Sequence, residues 1–167
     1  VIPMLPETLS NGICSLNPNV DRLTLSCIMD INLKGDVVNS FVEKTIINSK
    51  ARLTYNQVNK LFDGDRETKK QLKHVSKQLL EMNALAKILK QKRINRGTLE
   101  LDIDEPHIQL GENGVPVSVS ARTRGDSHKL IEEFMLCANE TVASHLSKME
   151  MPCMYRVHEQ PDPEKMR

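Results

Sequence analysis

The sequence predicts an α+β fold, in which antiparallel strands pack against a small number of helices. Residues 23–31 and 37–47 are rich in β-branched and apolar side chains and flank a turn that contains Gly35, a pattern typical of an antiparallel hairpin. Apolar residues recur at spacings of three and four within 66–92 and 127–148, as they do in core-facing helices. Strands and helices do not alternate as βαβ units, so a parallel sheet is not expected.

Length and composition limit the class of protein. The chain has 167 residues, of which 39% are hydrophobic and 27% charged, so we expect a single domain over 1–167. A formal net charge of +1 lacks the basic excess of a free-standing nucleic-acid binder, although it allows a local basic channel. No apolar run is long enough to span a membrane, and the first residues do not resemble a signal peptide.

Cysteine usage points to a reducing compartment. None of the four cysteines forms a CxxC pair, and no histidine lies at zinc-ligand spacing from such a pair: Cys14, Cys27, Cys137 and Cys153. We therefore expect reduced thiols in a cytoplasmic protein.

The first half of the chain is predicted to form a loop, the hairpin and two helices. Prolines and Gly12 punctuate 1–22, which indicates a loop with at most one helical turn. Thr54 is expected to cap a short helix over 55–62, because threonine is a favoured N-cap residue. One long helix is then predicted over 66–92 and is expected to end before Gly97.

The long helix carries a seam of apolar residues at alternating spacings of three and four: Leu72, Val75, Leu79, Met82, Ala86 and Leu89. The seam covers fewer than three full heptads. We therefore favour packing against the rest of its own domain over a coiled-coil dimer, which is the alternative.

The second half is predicted to contain strands around a second long helix. Residues 98–103 alternate as a strand, and 107–110 and 115–120 flank a hairpin turn at Gly114. Asp126 or Ser127 is expected to cap the helix over 127–148. A short strand over 154–157 and the start of a further helix at Pro161 complete the prediction.

A cluster of acids lies on the predicted strand 98–103 and just after it: Glu100, Asp102, Asp104 and Glu105. Carboxylates are the ligands that Mg²⁺ prefers. Glu100, Asp102 and Asp104, however, alternate with apolar residues at a period of two, which is typical of the solvent face of a strand. We prefer the solvent-face interpretation to a metal site.

The helix over 127–148 places two adjacent glutamates differently. A helical wheel gathers an apolar stripe: Leu130, Ile131, Phe134, Met135, Ala138 and Val142. It places Glu133, Glu140 and Ser144 opposite the stripe, towards water, and Glu132 beside it. A carboxylate in apolar surroundings requires a partner. For Glu132 the wheel leaves open a structural partner or a ligand hydroxyl.

Basic residues offer a possible phosphate site. A group of them lies just before and within the start of this helix, where the helix N-terminus also favours anions: Arg122, Arg124, His128 and Lys129. Arg156 and His158 share one face of the predicted strand near the end of the chain. For the first group we favour an ordinary solvated surface, and the second pair is compatible with either a phosphate contact or ordinary surface. No nucleophile arrangement, Walker loop or GxGxxG motif is present.

Several stretches, in order along the chain, resemble the ribonuclease II/ribonuclease R family, and more the ribonuclease R branch. The opening residues are VIPMLPETLSNGICSLNP followed by Asp21-Arg22, which is similar to the family's PMLPexLSNGlCSLxPxxDR stretch. The later matches are SKARLTY (49–55), Arg96-Gly97, HKLIEEFMLCAN (128–139) and YRVHE (155–159). The resemblance implies an internal part of an RNB catalytic domain.

What the resemblance implies is a 3′→5′ exoribonuclease that removes nucleoside 5′-monophosphates from single-stranded RNA with Mg²⁺. Family members hold the metal through aspartates upstream of the PMLP stretch, so we expect no catalytic residue, no metal ligand and no bound Mg²⁺ in this segment, and no activity from it alone. Tyr55 and Glu132 match family residues that contact the ribose 2′-OH. Leu101 stands where some relatives place a stacking aromatic residue.

The expected RNA-binding residues are therefore Tyr55, Leu101, Arg124, Glu132, Arg156 and His158. Single-stranded RNA is the expected partner, with no membrane and no obligate protein partner. Two alternatives remain: a non-catalytic relative that binds RNA to regulate it, and a helical scaffold that associates through the seam of the long helix.

Overall fold

The computed structural model describes residues 3–98, 106–111, 113–121, 124–157 and 162. These residues form two β-hairpins and four α-helices, which confirms the predicted α+β class with antiparallel strands. The elements are β1 (Asp21–Ile31), β2 (Val37–Asn48), α1 (Tyr55–Phe62), α2 (Arg66–Gln71), α3 (Ser76–Asn95), β3 (Pro106–Leu110), β4 (Pro116–Ala121) and α4 (Asp126–Lys148). A single π-helical turn, Thr8–Ile13, precedes β1.

The first hairpin forms as predicted. Strands β1 and β2 pair antiparallel along their whole length, with Ile28 opposite Phe41. The Asn32 side-chain oxygen closes the turn because it accepts from the backbone N–H groups of Lys34 and Asp36, each at 2.9 Å. Gly35 has a φ of 81°, and a Cβ there would lie 3.2 Å from Ile88 on α3, so the turn also needs glycine for close packing.

The predicted cap of α1 is confirmed. The Thr54 hydroxyl accepts from the Gln57 N–H at 3.3 Å, and the Gln57 side-chain oxygen accepts from the Thr54 N–H at 3.0 Å. This reciprocal pair is a capping box, which satisfies donors that the helix cannot pair internally. It fixes the start of α1 and therefore the position of Tyr55.

The prediction of a single long helix over 66–92 is wrong, because the helix is interrupted between α2 and α3. Leu72 (φ −95°, ψ 19°) and Val75 (φ −123°, ψ −6°) depart from helical dihedral angles. His74 and Val75 are weak helix formers, so interrupting the helix at these residues costs little free energy.

The seam itself is buried inside the chain. Leu72, Leu79, Ala86 and Leu89 are buried, and Val75 and Met82 pack against the same core. Helix α3 packs against α1 and α4. The seam is therefore used within the chain, as the sequence interpretation favoured, and not for a coiled-coil dimer.

The second hairpin and α4 also form, with one correction. Strand β3 pairs antiparallel with β4, and Ile108 lies opposite Val119. Helix α4 begins at Asp126, and its N-cap is Gly125 rather than Asp126 or Ser127. The N–H of Ser127 is satisfied instead by Asn59 of α1, whose side-chain oxygen accepts from it at 3.0 Å.

The predicted strand over 154–157 is wrong, since residues 151–157 have no regular secondary structure and no strand among the described residues pairs with them. Predictions for residues 99–103, for the acids Glu100 to Glu105 and for a helix from Pro161 lie outside the described residues. The four cysteines are free thiols. Within the described ranges, no helix is long and apolar enough to cross a membrane.

Candidate nucleic-acid interface

The candidate interface lies where the start of α1 meets the start of α4. The Ser127 hydroxyl donates to the backbone oxygen of Tyr55 at 3.2 Å, and Asn59 accepts from the Ser127 N–H. Ser127 is only 3% exposed, so these bonds are shielded from water. They hold the backbone that carries Tyr55 against the first turn of α4.

The aromatic rings of Tyr55 and His128 stack at this junction. Their centroids are 4.1 Å apart and their planes are inclined by 16°. The His128 Nδ1 accepts from the Gly125 N–H at 3.3 Å, which leaves the ring proton of a neutral imidazole on Nε2. Tyr55 remains 43% exposed, so it is oriented on one side and open to a ligand on the other.

Glu132 follows His128 by four residues on α4, so the two side chains share one helix face. The Glu132 side chain is 48% exposed, and its Oε1 lies 3.8 Å from Arg93 Nη2. The side chains of Tyr55, His128 and Glu132 are therefore arranged one after another along one surface. A phenol, an imidazole and a carboxylate in this order can stack on a base or sugar and accept a hydrogen bond from a hydroxyl.

The predicted orientation of α4 is wrong for the two glutamates. Glu133, expected in water, has a side chain only 4% exposed, whereas Glu132 faces solvent. Ile131 and Met135, expected in the core, are 39% and 60% exposed. The wheel assigned the buried face from apolar residues alone, and it could not detect a buried carboxylate with a partner on another helix.

That partner is Arg93 near the end of α3. Its Nη2 donates to Glu133 Oε1 at 2.7 Å, and its Nε lies 3.1 and 3.3 Å from the two carboxylate oxygens. Charge-assisted bonds of this forked kind are stronger than neutral ones and fix the relative orientation of the groups. Sequence reasoning missed Arg93; its place in the last turn of a helix, where cations are favoured, was the one available signal.

Two other cations at the end of α3 are also paired. Lys92 Nζ lies 2.8 Å from Asp36 Oδ1 and donates to the Gly35 carbonyl oxygen at 3.0 Å. Arg96 donates to both Glu140 oxygens, at 2.8 and 3.2 Å. With the Arg93 pair, these contacts tie α3 to the β1–β2 turn and to α4 and line a cleft of about 510 Å³.

The same contacts shift the titration of the paired groups. Hydrogen bonds from Lys92 and then from Asn32 lower the pKa of Asp36. Hydrogen bonds from Arg96 lower the pKa of Glu140, against the opposing effect of burial, and the pKa of Arg96 rises because of Glu140. Within the cleft, Lys92 and Asp36 offset each other's charge, as do Arg96 and Glu140.

Of the remaining predicted RNA-binding residues, the structure describes Arg124 and Arg156. Arg124 is exposed and directly precedes the N-cap of α4. Arg156 is exposed in the irregular segment after α4. Leu101 and His158 lie outside the described residues. Among the residues that are described, no three His, Cys, Asp or Glu side chains are grouped to hold a metal ion.

The comparisons with known proteins fix the family. The model of the RNB domain matches residues 1–167. The chain belongs to the RNB domain family. It is 43% identical over 166 residues to ribonuclease R 1 of Lactococcus lactis, covering 99% of this chain and 20% of that protein. It is 46% identical over 165 residues to ribonuclease R of Thermotoga maritima, covering 98% of this chain and 23% of the relative.

Solved RNB-family structures share the fold. RNase R of Mycoplasma genitalium in complex with ribose methylated single-stranded RNA superposes with a TM-score of 0.87 at 32% identity, covering 98% of this chain and 25% of that one. The chain thus spans about a fifth to a quarter of the length of these relatives. The resemblance inferred from the sequence motifs is confirmed.

Proposed function

We propose that this chain is part of the RNB catalytic domain of a 3′→5′ exoribonuclease that hydrolyses single-stranded RNA to nucleoside 5′-monophosphates. Relatives that carry the name ribonuclease R, and a relative solved with ribose methylated single-stranded RNA, support this reaction class. The proposal includes single-stranded RNA as the partner, Mg²⁺ as the cofactor of the whole enzyme, and a cytoplasmic location. No catalytic step is assigned to the described residues, which group no metal ligands.

The role proposed for this segment is to form part of the RNA channel and to recognise ribose. The stacking of Tyr55 on His128 is the observation that carries it, and Glu132 shares the helix face of His128 one turn further along α4. A carboxylate accepts a hydrogen bond from a 2′-OH, and DNA has no such donor. The stacked Tyr55 ring offers a face for a base or sugar. Arg124 and Arg156, together with Leu101 and His158, are proposed as further RNA contacts.

The reaction is tested with the full-length protein, Mg²⁺ and a 5′-labelled single-stranded RNA. We expect a ladder that shortens by single nucleotides and free nucleoside 5′-monophosphates. Retention of intact RNA without any mononucleotide release would contradict the proposal and identify a non-catalytic RNA binder.

If this surface recognises ribose, substitutions in it should reduce the preference of the enzyme for RNA over DNA. Glu132→Ala in the full-length protein removes the acceptor for the 2′-OH, so the RNA-to-DNA ratio of kcat/KM should fall about 10- to 100-fold, the value of a hydrogen bond to a charged group. Tyr55→Ala should lower the same ratio, and Tyr55→Phe separates the contribution of the hydroxyl from that of the ring. Single-turnover degradation of matched RNA and DNA oligonucleotides measures the ratio.

The matched control is Glu140→Ala, which removes an exposed carboxylate from the same helix. It should leave the ratio unchanged. An unchanged ratio in both Glu132→Ala and Tyr55→Ala would remove the role assigned to this surface.

A further inference from the structure

Arg93 contacts two carboxylates that are adjacent in the sequence. Its Nη2 lies 2.7 Å from Glu133 Oε1 and 3.8 Å from Glu132 Oε1. Successive residues of a helix point about 100° apart, so one guanidinium reaches both only from a position between them. Helix α3 supplies that position because its last turn packs against α4.

We propose that Arg93 is a positioning residue for Glu132, anchored by the buried Glu133. This inference rests on the proposed contact between Glu132 and the ribose 2′-OH. Glu133 holds the guanidinium through three short contacts, and the guanidinium in turn presents a fixed positive charge to the half-exposed Glu132 carboxylate.

A fixed positive charge restricts the Glu132 side chain, because an exposed glutamate otherwise samples many rotamers. Ordering such a side chain when RNA binds costs conformational entropy, and a neighbouring guanidinium that restricts the carboxylate beforehand reduces that cost. The Arg93 side chain is 19% exposed, so water and salt screen its attraction less than they screen a surface pair. A preoriented acceptor selects the 2′-OH at the reacting nucleotide more sharply.

The structure supplies a matched pair for comparison. Arg96 lies three residues after Arg93 on the same helix and binds Glu140 of α4 through two bonds. This pair joins the same two helices, but both of its side chains are about 60% exposed, and the Arg96 guanidinium is bound to Glu140. Losing it tests what the attachment of α3 to α4 contributes without changing the charge beside Glu132.

The experiment compares variants of the full-length protein by the RNA-to-DNA ratio of kcat/KM. Arg93→Met combined with Glu133→Leu replaces the buried ion pair with apolar side chains, a change that folds tolerate far better than removal of one partner. The ratio should fall about three- to tenfold through a higher KM for RNA, with little change in kcat, because the cost of ordering Glu132 is then paid when RNA binds. Arg96→Met should leave the ratio unchanged.

Two further variants test whether Arg93 acts through Glu132. Arg93→Lys keeps the charge but loses the planar fork, and it should also lower the ratio, which covers the case in which the double variant does not fold. Adding Arg93→Met and Glu133→Leu to Glu132→Ala should cause no further loss of discrimination, since Arg93 acts through Glu132.

The outcomes separate the two proposals. If Glu132→Ala lowers the ratio while the Arg93 variants leave it unchanged, the positioning role is wrong and the ribose contact stands. A further fall in the combined variant also overturns the positioning role, because it shows an effect that bypasses Glu132. If Glu132→Ala itself has no effect, the ribose contact of Glu132 and the positioning role of Arg93 are both wrong.

Discussion

Two adjacent glutamates of α4 occupy opposite environments. Glu133 is 4% exposed and bound to Arg93, whereas Glu132 is half exposed beside the Tyr55–His128 stack. The same residue type therefore serves packing at one position and is available to a ligand at the next. The difference arises from helix α3, since its Arg93 pairs with Glu133 at the buried position.

The buried pair predicts an asymmetric stability effect. Glu133→Gln should lower the free energy of unfolding by about 2 kcal/mol, because it replaces the buried carboxylate that Arg93 binds at 2.7 Å with a neutral amide and so weakens a charge-assisted hydrogen bond. Glu140→Gln breaks an exposed pair on the same two helices and should cost less than about 1 kcal/mol. Urea denaturation measures both, and equal losses in the two variants would contradict the assigned burial.

The sequence predicted the environments of these two glutamates only in part. The motif resemblance selects Glu132 for a ligand, and the structure leaves that side chain exposed. The helical wheel, however, gave Glu132 apolar neighbours and placed Glu133 in water. A wheel records one helix, whereas the burial of a charged residue depends on a partner 40 residues away in the sequence.

Helices and strands with local signals could be predicted from the sequence. The Thr54 capping box sets the start of α1, and the Asn32–Asp36 turn sets the first hairpin. Both depend on side chains within a few residues of the element that they fix. The N-cap at Gly125 was not predictable in this way, because it depends on contacts with Asn59 of α1. The break at 72–75 was missed because the apolar spacing of the seam continues through it.

The junction of α1 with α4 predicts the effect of a small change at Gly125. A Cβ at this position would collide with the side-chain amide of Asn59, which accepts from the Ser127 N–H. Gly125→Ala should therefore displace Asn59, leave a donor in the first turn of α4 unpaired and cost about 1 kcal/mol, the value of a lost cap.

The control is Gly12→Ala, since a Cβ at Gly12 meets nothing within 4 Å. It should change the free energy of unfolding by no more than a few tenths of a kcal/mol. Backbone chemical shifts of Ser127 and Tyr55 should move in the Gly125 variant and stay in place in the control. If they do not move in either, the tight approach of Gly125 to Asn59 is wrong.

At the scale of the whole molecule, the described residues bury few apolar side chains. Seven hydrophobic residues are buried in the described part of the chain, and all six residues of β4 are exposed. On one face of the second hairpin, Ile108, Val117 and Val119 are each more than half exposed. Ion pairs at the end of α3 add polar contacts between the first hairpin, α3 and α4.

Dependence on these contacts predicts a loss of stability in acid. The folded state lowers the pKa of Asp36, chiefly through its hydrogen bond with Lys92, and that of Glu140, chiefly through its hydrogen bonds with Arg96. A carboxylate whose pKa is lowered by folding stabilises the protein above its unfolded pKa, and this stabilisation disappears as the pH falls through the folded pKa. The free energy of unfolding should therefore be level near neutrality and decline once the pH drops below about 4.5.

Asp36→Asn tests how one contact contributes to that decline. Lys92 is the largest cause of the lowered pKa of Asp36, so both Asp36→Asn and Lys92→Met should flatten the acid limb, and the double variant should flatten it by less than the sum of the two single effects. Urea denaturation at a series of pH values gives the slopes. Because the pair is exposed, added salt should flatten the acid limb more in the unmodified protein than in the variants. A full acid slope in either single variant would show that the Lys92–Asp36 contact does not link the first hairpin to α3 in solution.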